Sequence, residues 1–301
     1  MRNLIVIWIL LLAFAWESPA AELIDIGSRR ELFVDHHLIE KLDGARLELR
    51  HPVPREVVIS HDEPWEGNGC GFHSIFKDGD RYRMYYKSYH FEVGPERTEF
   101  VKRHFLCYAE SDDGVHWRKP DLGLHEFEGS RKNNIVIAPH NIGHSMADPS
   151  HSAVFKDPNP NAPAESRYKA IVRGHERLGM LAFQSPDGLS WTPMRDRPVI
   201  TKGAFDSQNL AFWDPVRGEY RAYFRTFTKG VTNDEKWKPA GIRAIRTATS
   251  DNFVDWKDAA DLTYVDSPDE HLYTNQIKPY HRAPHIFIGF PTRYVERGWS
   301  E

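Results

Sequence analysis

Cysteine is nearly absent: the 301 residues include only Cys70 and Cys107. Two thiols cannot build a disulfide framework, so the fold must rest on a hydrophobic core. Neither stands in a C-x-x-C spacing, which removes the usual redox and zinc motifs; one bridge or two separate thiols both stay open. An excess of positive charge is missing as well, with a formal net charge of -4. That balance gives no reason to expect nucleic acid or an anionic membrane as partner. The one basic cluster, "RTEFVKRH" from Arg97 to His104, is broken by Glu99 and reads as a solvated loop. Helical patterning is lacking too, since no stretch carries a convincing apolar stripe at helical spacing.

Long hydrophobic runs are confined to the N-terminus. "MRNLIVIWILLLAFAW" sets Arg2 ahead of an apolar run from Leu4 to Trp16, and small residues follow in "ESPAAE". This is the pattern of a secretory signal, with cleavage expected after Ala20 or Ala21. The run is short for a bilayer span. The expectation is a signal peptide over 1–21 and a mature protein that is secreted or periplasmic, with no membrane contact after cleavage.

What the chain has in abundance is aromatic side chains and one recurring turn. "SDDGVHW" at Ser111–Trp117 returns as "SPDGLSW" at Ser185–Trp191 and as "SDNFVDW" at Ser250–Trp256. The spacing is 74 residues from Trp117 to Trp191 and 65 from Trp191 to Trp256. A strand-like run precedes each copy: "FLCYAE", "LGMLAFQ" and "IRAIRTAT". Further upstream stand two more runs joined by a polar hairpin, in "GFHSIFKDGDRYRMYYKSY", "SHSAVFKDPNPNAPAESRYKAIVRG" and "SQNLAFWDPVRGEYRAYFRTF". Short alternating runs of β-branched and aromatic residues between Gly, Pro, Asp and Asn are strands. Each unit is therefore strand, hairpin, strand, loop, strand, turn and short fourth strand.

Repetition on this scale predicts an all-β fold, a β-propeller of four-stranded antiparallel blades. Blades are expected at about 65–125, 145–200 and 204–262, with a partial one at 270–301. Residues 22–60 form an N-terminal lead-in, and 61–301 the propeller domain. The chain ends before a fifth blade, so a C-terminally truncated propeller of about three and a half blades is expected. In the turns, Gly114 and Gly188 supply positive φ, and the following Trp wedges between sheets. Phe253 replaces that glycine in the third copy, and because Phe tolerates positive φ poorly, a turn of different type is predicted.

The blade pattern, the S-x-D-G-x-x-W turns and "DPS...AVFKD" together resemble the five-bladed β-propeller glycoside hydrolases, families thirty-two and forty-three. The resemblance implies a glycosidase with an acid near the start of the innermost strand of each of the first three blades. Carried over by position, these are Glu66 in "PWEGNGCG", Asp148 in "ADPSHSAVF" and Asp206 in "AFDSQNLAF". Such acids suit glycosidic cleavage: one carboxyl protonates the leaving oxygen while a second attacks or activates water. A third negative charge nearby can keep the acid protonated. Asp214 of "WDP" falls in register with Asp78 and Asp157 and reads as a hairpin residue instead.

Substrate contacts are expected from Trp65, His73, His151, Gln208, Asn209, Glu270 and Asn275, with an oligo- or polysaccharide as partner. No cofactor and no metal are expected. A metal reading of His140, His144, Asp148 and His151, or of Asp35, His36 and His37, matches no zinc motif. The alternative to an enzyme is a non-catalytic carbohydrate-binding or scaffold propeller.

Overall fold

The computed structural model describes residues 23–94, 99–175, 179–265 and 267–298. The expected signal peptide lies outside them. The chain divides into two units, Met1–Pro52 and Val53–Glu301. The described part of the first has no strand or helix, only local turns; in one of them the His37 amide donates to Asp35 Oδ1 at 2.9 Å. Among the described residues no helix is long and apolar enough to cross a membrane.

The described part of the second unit is all-β, with a short 3-10 turn at Ala164–Ser166. Its first sheet holds β1 (Gly69–Asp78), β2 (Arg81–Val93), β3 (Glu99–Ser111) and β4 (Trp117–Arg118), with β5 (Ile135–Ile137) added on β3. The second sheet runs β6 (His140–Ile142), β7 (Ser145–Lys156), β8 (Tyr168–Gly174), β9 (Met180–Ser185) and β10 (Thr192–Pro193). The third is β11 (Leu210–Asp214), β12 (Glu219–Thr232), β13 (Trp237–Ser250) and β14 (Trp256–Asp261). Two short pairs follow, β15 (His271–Leu272) with β18 (Arg293–Tyr294), and β16 (Lys278–Tyr280) with β17 (Ala283–Ile288). All strand pairings in the sheets are antiparallel; β1–β4, β7–β10 and β11–β14 each run in the order the repeat predicts, while β5 on β3 and β6 on β7 are strands that it does not. One expectation is corrected: the stretch from Glu99 to His104 is not loop but the start of β3, because it pairs with β2 as far as Val93.

The strands that lead the three repeats, β1, β7 and β11, lie side by side, β1 against β7 and β7 against β11. Three kinds of contact join them, and each recurs. The Ser74 hydroxyl of β1 accepts the Val154 amide of β7 at 3.1 Å, and Asn209 Nδ2 donates to the His151 carbonyl at 3.1 Å. In the connections β1–β2, β7–β8 and β11–β12 an aspartate meets the cation that follows a tyrosine in the next strand: Asp78 with Arg83 at 2.6 Å, Asp157 with Lys169 at 2.5 Å, Asp214 with Arg221 at 3.3 Å. Tyrosines of the following sheet reach back to these acids, Tyr168 to Asp78 and Tyr220 to Asp157, both at 2.6 Å. Asp214 is thus a buried hairpin residue that also accepts the Val216 amide at 3.0 Å.

The third recurring contact is the turn. In the first two copies the serine hydroxyl accepts the glycine amide (2.9 and 2.8 Å), and the aspartate accepts the next two amides at 2.8 Å each. The indole nitrogen then donates to the glycine carbonyl at 3.1 Å in both. The second turn docks on the first sheet, where Tyr85 donates to the Gly188 carbonyl at 2.9 Å and Trp191 meets the Tyr85 ring edge-on.

The third turn corrects the sequence-based expectation. Phe253 takes φ 68°, beside 82° at Gly114 and 78° at Gly188, and Trp256 Nε1 donates to the Phe253 carbonyl at the same 3.1 Å. The turn is of the same kind. The reason is burial: the Phe253 ring is fully enclosed among Phe155, Tyr220 and Trp256. A left-handed residue costs about 1–2 kcal/mol, whereas truncating a buried Phe costs about 3–5 kcal/mol, so packing wins. Phe253→Gly is therefore expected to lower stability by about 2 kcal/mol despite relieving the backbone. Chemical denaturation would check this, and a gain in stability would show that backbone strain outweighs the core contact.

Candidate active site

Asp148 begins the polar end of β7. Its Oδ1 accepts the Ser150 amide at 3.0 Å and the Ser150 hydroxyl, while Oδ2 accepts from Arg173 at 3.1 Å. Arg173 is its cross-strand partner in the β7–β8 ladder, so the register itself places the guanidinium. His104, from β3 of the first sheet, puts Nε2 3.1 Å from Asp148 Oδ1 but off the line of a hydrogen bond, and neither of its ring nitrogens finds one among the described residues. Burial alone would raise the Asp148 pKa; His104, Arg173 and Ser150 outweigh it and hold the carboxyl below the usual range.

Asp206 lies just before β11 and is paired with the buried Arg225 of β12. Its side chain is 42% exposed, so one face is open to a ligand. Burial again opposes, and the charges of Arg225 and Arg173 prevail, keeping Asp206 ionised below the ordinary value. Arg173 and Asp206 line one small cavity of about 160 Å³ with Gly203, Phe205 and Trp237. His151 sits between the two acids, with Nδ1 2.6 Å from the Ser150 hydroxyl and 3.4 Å from Arg173, and its ring on Phe72 at 5.6 Å. Burial, with Arg173 and Lys87, pushes its pKa down to about 3, so it is neutral across the physiological range. Phe72 reaches it from a left-handed backbone, φ 52°, at the bulge between Gly71 and Ser74.

Glu66 is placed elsewhere. None of its side chain is exposed, and it accepts from Lys119 at 2.7 Å, Tyr86 at 2.5 Å and the Glu63 amide at 2.9 Å. Burial would raise its pKa, but these bonds together with His61 bring it down to about 2. Trp65 is tied in beside it, donating to Asn134 at 2.6 Å and meeting Phe127 edge-on. Neither residue is brought to Asp148. Asn209 and Asn275 pin neighbouring segments, Asn275 donating to the Gln208 carbonyl at 3.1 Å. His73 and Gln208 line a larger cavity of about 800 Å³. Glu270 lines a different one of about 390 Å³ and pairs with Arg293 at 3.1 Å. The two cysteines are free thiols, Cys107 buried and Cys70 exposed.

Arg173, Arg225, Lys87 and His104 were not singled out from sequence. A signal existed for three of them. Aligned on Tyr82, Tyr168 and Tyr220, the second strand of every sheet carries a basic residue five positions on: Lys87, Arg173 and Arg225.

No protein-family model and no curated protein sequence matches this chain. Solved structures that resemble it include a β-1,2-mannobiose phosphorylase from Listeria innocua, at 12% identity and a TM-score of 0.41, covering 66% of this chain and 60% of that one. An N-acetylgalactosamine deacetylase from F. plautii, bound to blood group B trisaccharide, matches at 14% identity and a TM-score of 0.41, over 71% of this chain and 60% of that one. A fructofuranosidase from Schwanniomyces occidentalis complexed with fructosylnystose matches at 15% identity and a TM-score of 0.38, over 70% of this chain and 39% of that one. The chain thus spans less than two thirds of each of these three proteins.

The depressed Glu66 pKa has a signed consequence for stability. Its contribution is complete above the unfolded value near 4.5 and is lost as pH falls toward about 2. Breaking such a buried pair costs about 3–5 kcal/mol. Glu66→Gln should lose that amount at pH 7 and should flatten the fall in stability between pH 5 and 2. Urea titrations across that range would show it; an unchanged acid limb would mean Glu66 is not held ionised.

Proposed function

We propose that this chain processes carbohydrate, as a β-propeller of the five-bladed type whose three meanders are blades, and that it cleaves glycosidic bonds at the Asp148–Asp206 site. One observation carries the reading: two ionised carboxylates, at the polar starts of adjacent leading strands, share the field of Arg173. Paired carboxylates on either side of a scissile bond are what glycoside cleavage requires. Asp148, buried and hydrogen-bonded, suits the base or nucleophile. Asp206, the more exposed, suits the leaving-group side, and it takes a proton only when substrate loosens its pair with Arg225. His151, beside the two acids, would contact sugar hydroxyls, and His73 and Gln208 would do so from the larger cavity that they line. The leader-like first 21 residues assign this work to the periplasm or the exterior.

A second reading is favoured by the same electrostatics. Both acids are held ionised by arginines, and the N–H of neutral His151 is too weak an acid to protonate a leaving group, so the site as it stands lacks a general acid. That suits a propeller that binds sugar without cutting it. Turnover of a panel of aryl glycosides and oligosaccharides, with calorimetry alongside, separates the two. For an enzyme, Asp148→Asn and Asp206→Asn should each lower kcat by about 10²–10⁴. Its rate should fall at low pH as Asp148 is protonated and at high pH as Asp206 loses the proton it must deliver. Undiminished turnover in both variants would sink the site. Saccharide binding with no turnover, abolished by the same substitutions, would select the binder.

A further inference from the structure

The same region of the first sheet gathers three metal-ligating side chains that the carbohydrate reading does not use. His61 and His73 bring their Nε2 atoms to 3.1 Å. Cys70 Sγ completes a set in which no two ligand atoms are more than 4.8 Å apart. Two nitrogens on one zinc, each about 2.0–2.1 Å from the ion in tetrahedral geometry, stand about 3.3 Å apart. The observed histidine spacing is close to that value.

The surroundings favour an ion over a plain histidine pair. His61 Nδ1 lies 3.4 Å from Glu66 Oε1, so a proton on Nδ1 faces the carboxylate and leaves Nε2, 3.1 Å from His73 Nε2, free to ligate. A carboxylate behind a ligating histidine is the usual way its tautomer and orientation are set. Both rings are also held by Tyr86, His61 at 4.4 Å and His73 stacked at 5.7 Å between centroids. Glu66 is in turn fixed by Lys119 and Tyr86, so the carboxylate cannot swing in as a fourth ligand without losing both bonds.

We propose that His61, Cys70 and His73 bind one borderline-soft divalent ion, zinc by the donor set, with Glu66 orienting His61. Two imidazoles and a thiolate select zinc over magnesium or calcium. Three protein donors leave the fourth position to water or ligand. The ion would tie the segment around His61 to β1, beside the cavity that His73 lines. Binding releases the Cys70 proton, so affinity should rise with pH. None of this depends on what the Asp148–Asp206 site does.

The test uses the full chain, stripped with chelator and titrated with cobalt(II). One ion per chain is expected, with a thiolate-to-cobalt charge-transfer band and displacement by one equivalent of zinc. Cys70→Ser should abolish that band, and His73→Ala should weaken binding at least tenfold. Glu66→Gln should weaken it about 10–100-fold. His140→Ala, outside the cluster, should change nothing. Zinc should also raise the unfolding midpoint of the unsubstituted protein, a measurement that needs no variant. The proposal fails if uptake is not stoichiometric, if the band is absent, or if Cys70→Ser and His73→Ala bind as the parent does.

Discussion

Each of the three sheets is built around an aspartate that closes the connection after β1, β7 or β11 against a cation of the following strand. Asp157 and Lys169 are the most demanding instance: both are buried, and the ammonium also donates to the Ser166 carbonyl at 2.9 Å. A buried ion pair is tolerated only when its remaining donors and acceptors are satisfied. Tyr220 of the third sheet supplies that satisfaction at 2.6 Å, and Tyr168 of the second does the same for Asp78. The acid that shapes one hairpin therefore needs the next sheet in place. The S-x-D-G-x-x-W turns add an aromatic contact across the second of these junctions, and Phe253 does so across the next.

The second strand of each sheet serves both scaffold and site. Arg83, Lys169 and Arg221 sit at the hairpin end; Lys87, Arg173 and Arg225 follow four residues later. Residues four apart in a strand share a face and stand about 13 Å apart. One basic row thus latches the hairpin at one end and meets Asp148 and Asp206 at the other. The first sheet breaks the pattern. Lys87 lies over the rings of Phe72 and Tyr89, at 4.7 and 4.4 Å, while the acid of that sheet, Glu66, is turned inward to Lys119. Cys70 and His73 occupy β1 near the place where β7 carries its acid.

Much of the scaffold was legible in the chain because it is written in local, periodic signals. Alternating apolar runs predicted the meanders, and internal register identified Asp214 as a hairpin residue. The third turn was misjudged because backbone preference is local while the burial of Phe253 is supplied by Phe155 and Tyr220, far away in sequence. The start of β3 was misread for a similar reason, since its polar residues are held by pairing with β2. At the site, proximity to the strand start singled out Asp148 and Asp206, yet their protonation depends on Arg173, Arg225 and His104, each on another strand.

By itself the sequence determined the strand order, the hairpins and the repeated turn, since these follow from alternation, turn residues and spacing within one repeat. Only the tertiary structure decided which groups meet each acid and which acid stays open to a cavity: Asp206 does, whereas Glu66 and Asp148 are both buried. Glu66 and Asp148 look alike in the chain, each a carboxylate ahead of a leading strand. The difference arises from what folds over them: Lys119 and Tyr86 enclose the first, whereas Asp148 sits among Arg173, His104 and His151 at the end of three strands. Charge is decided by neighbours in space, and a linear chain names its neighbours only along its length.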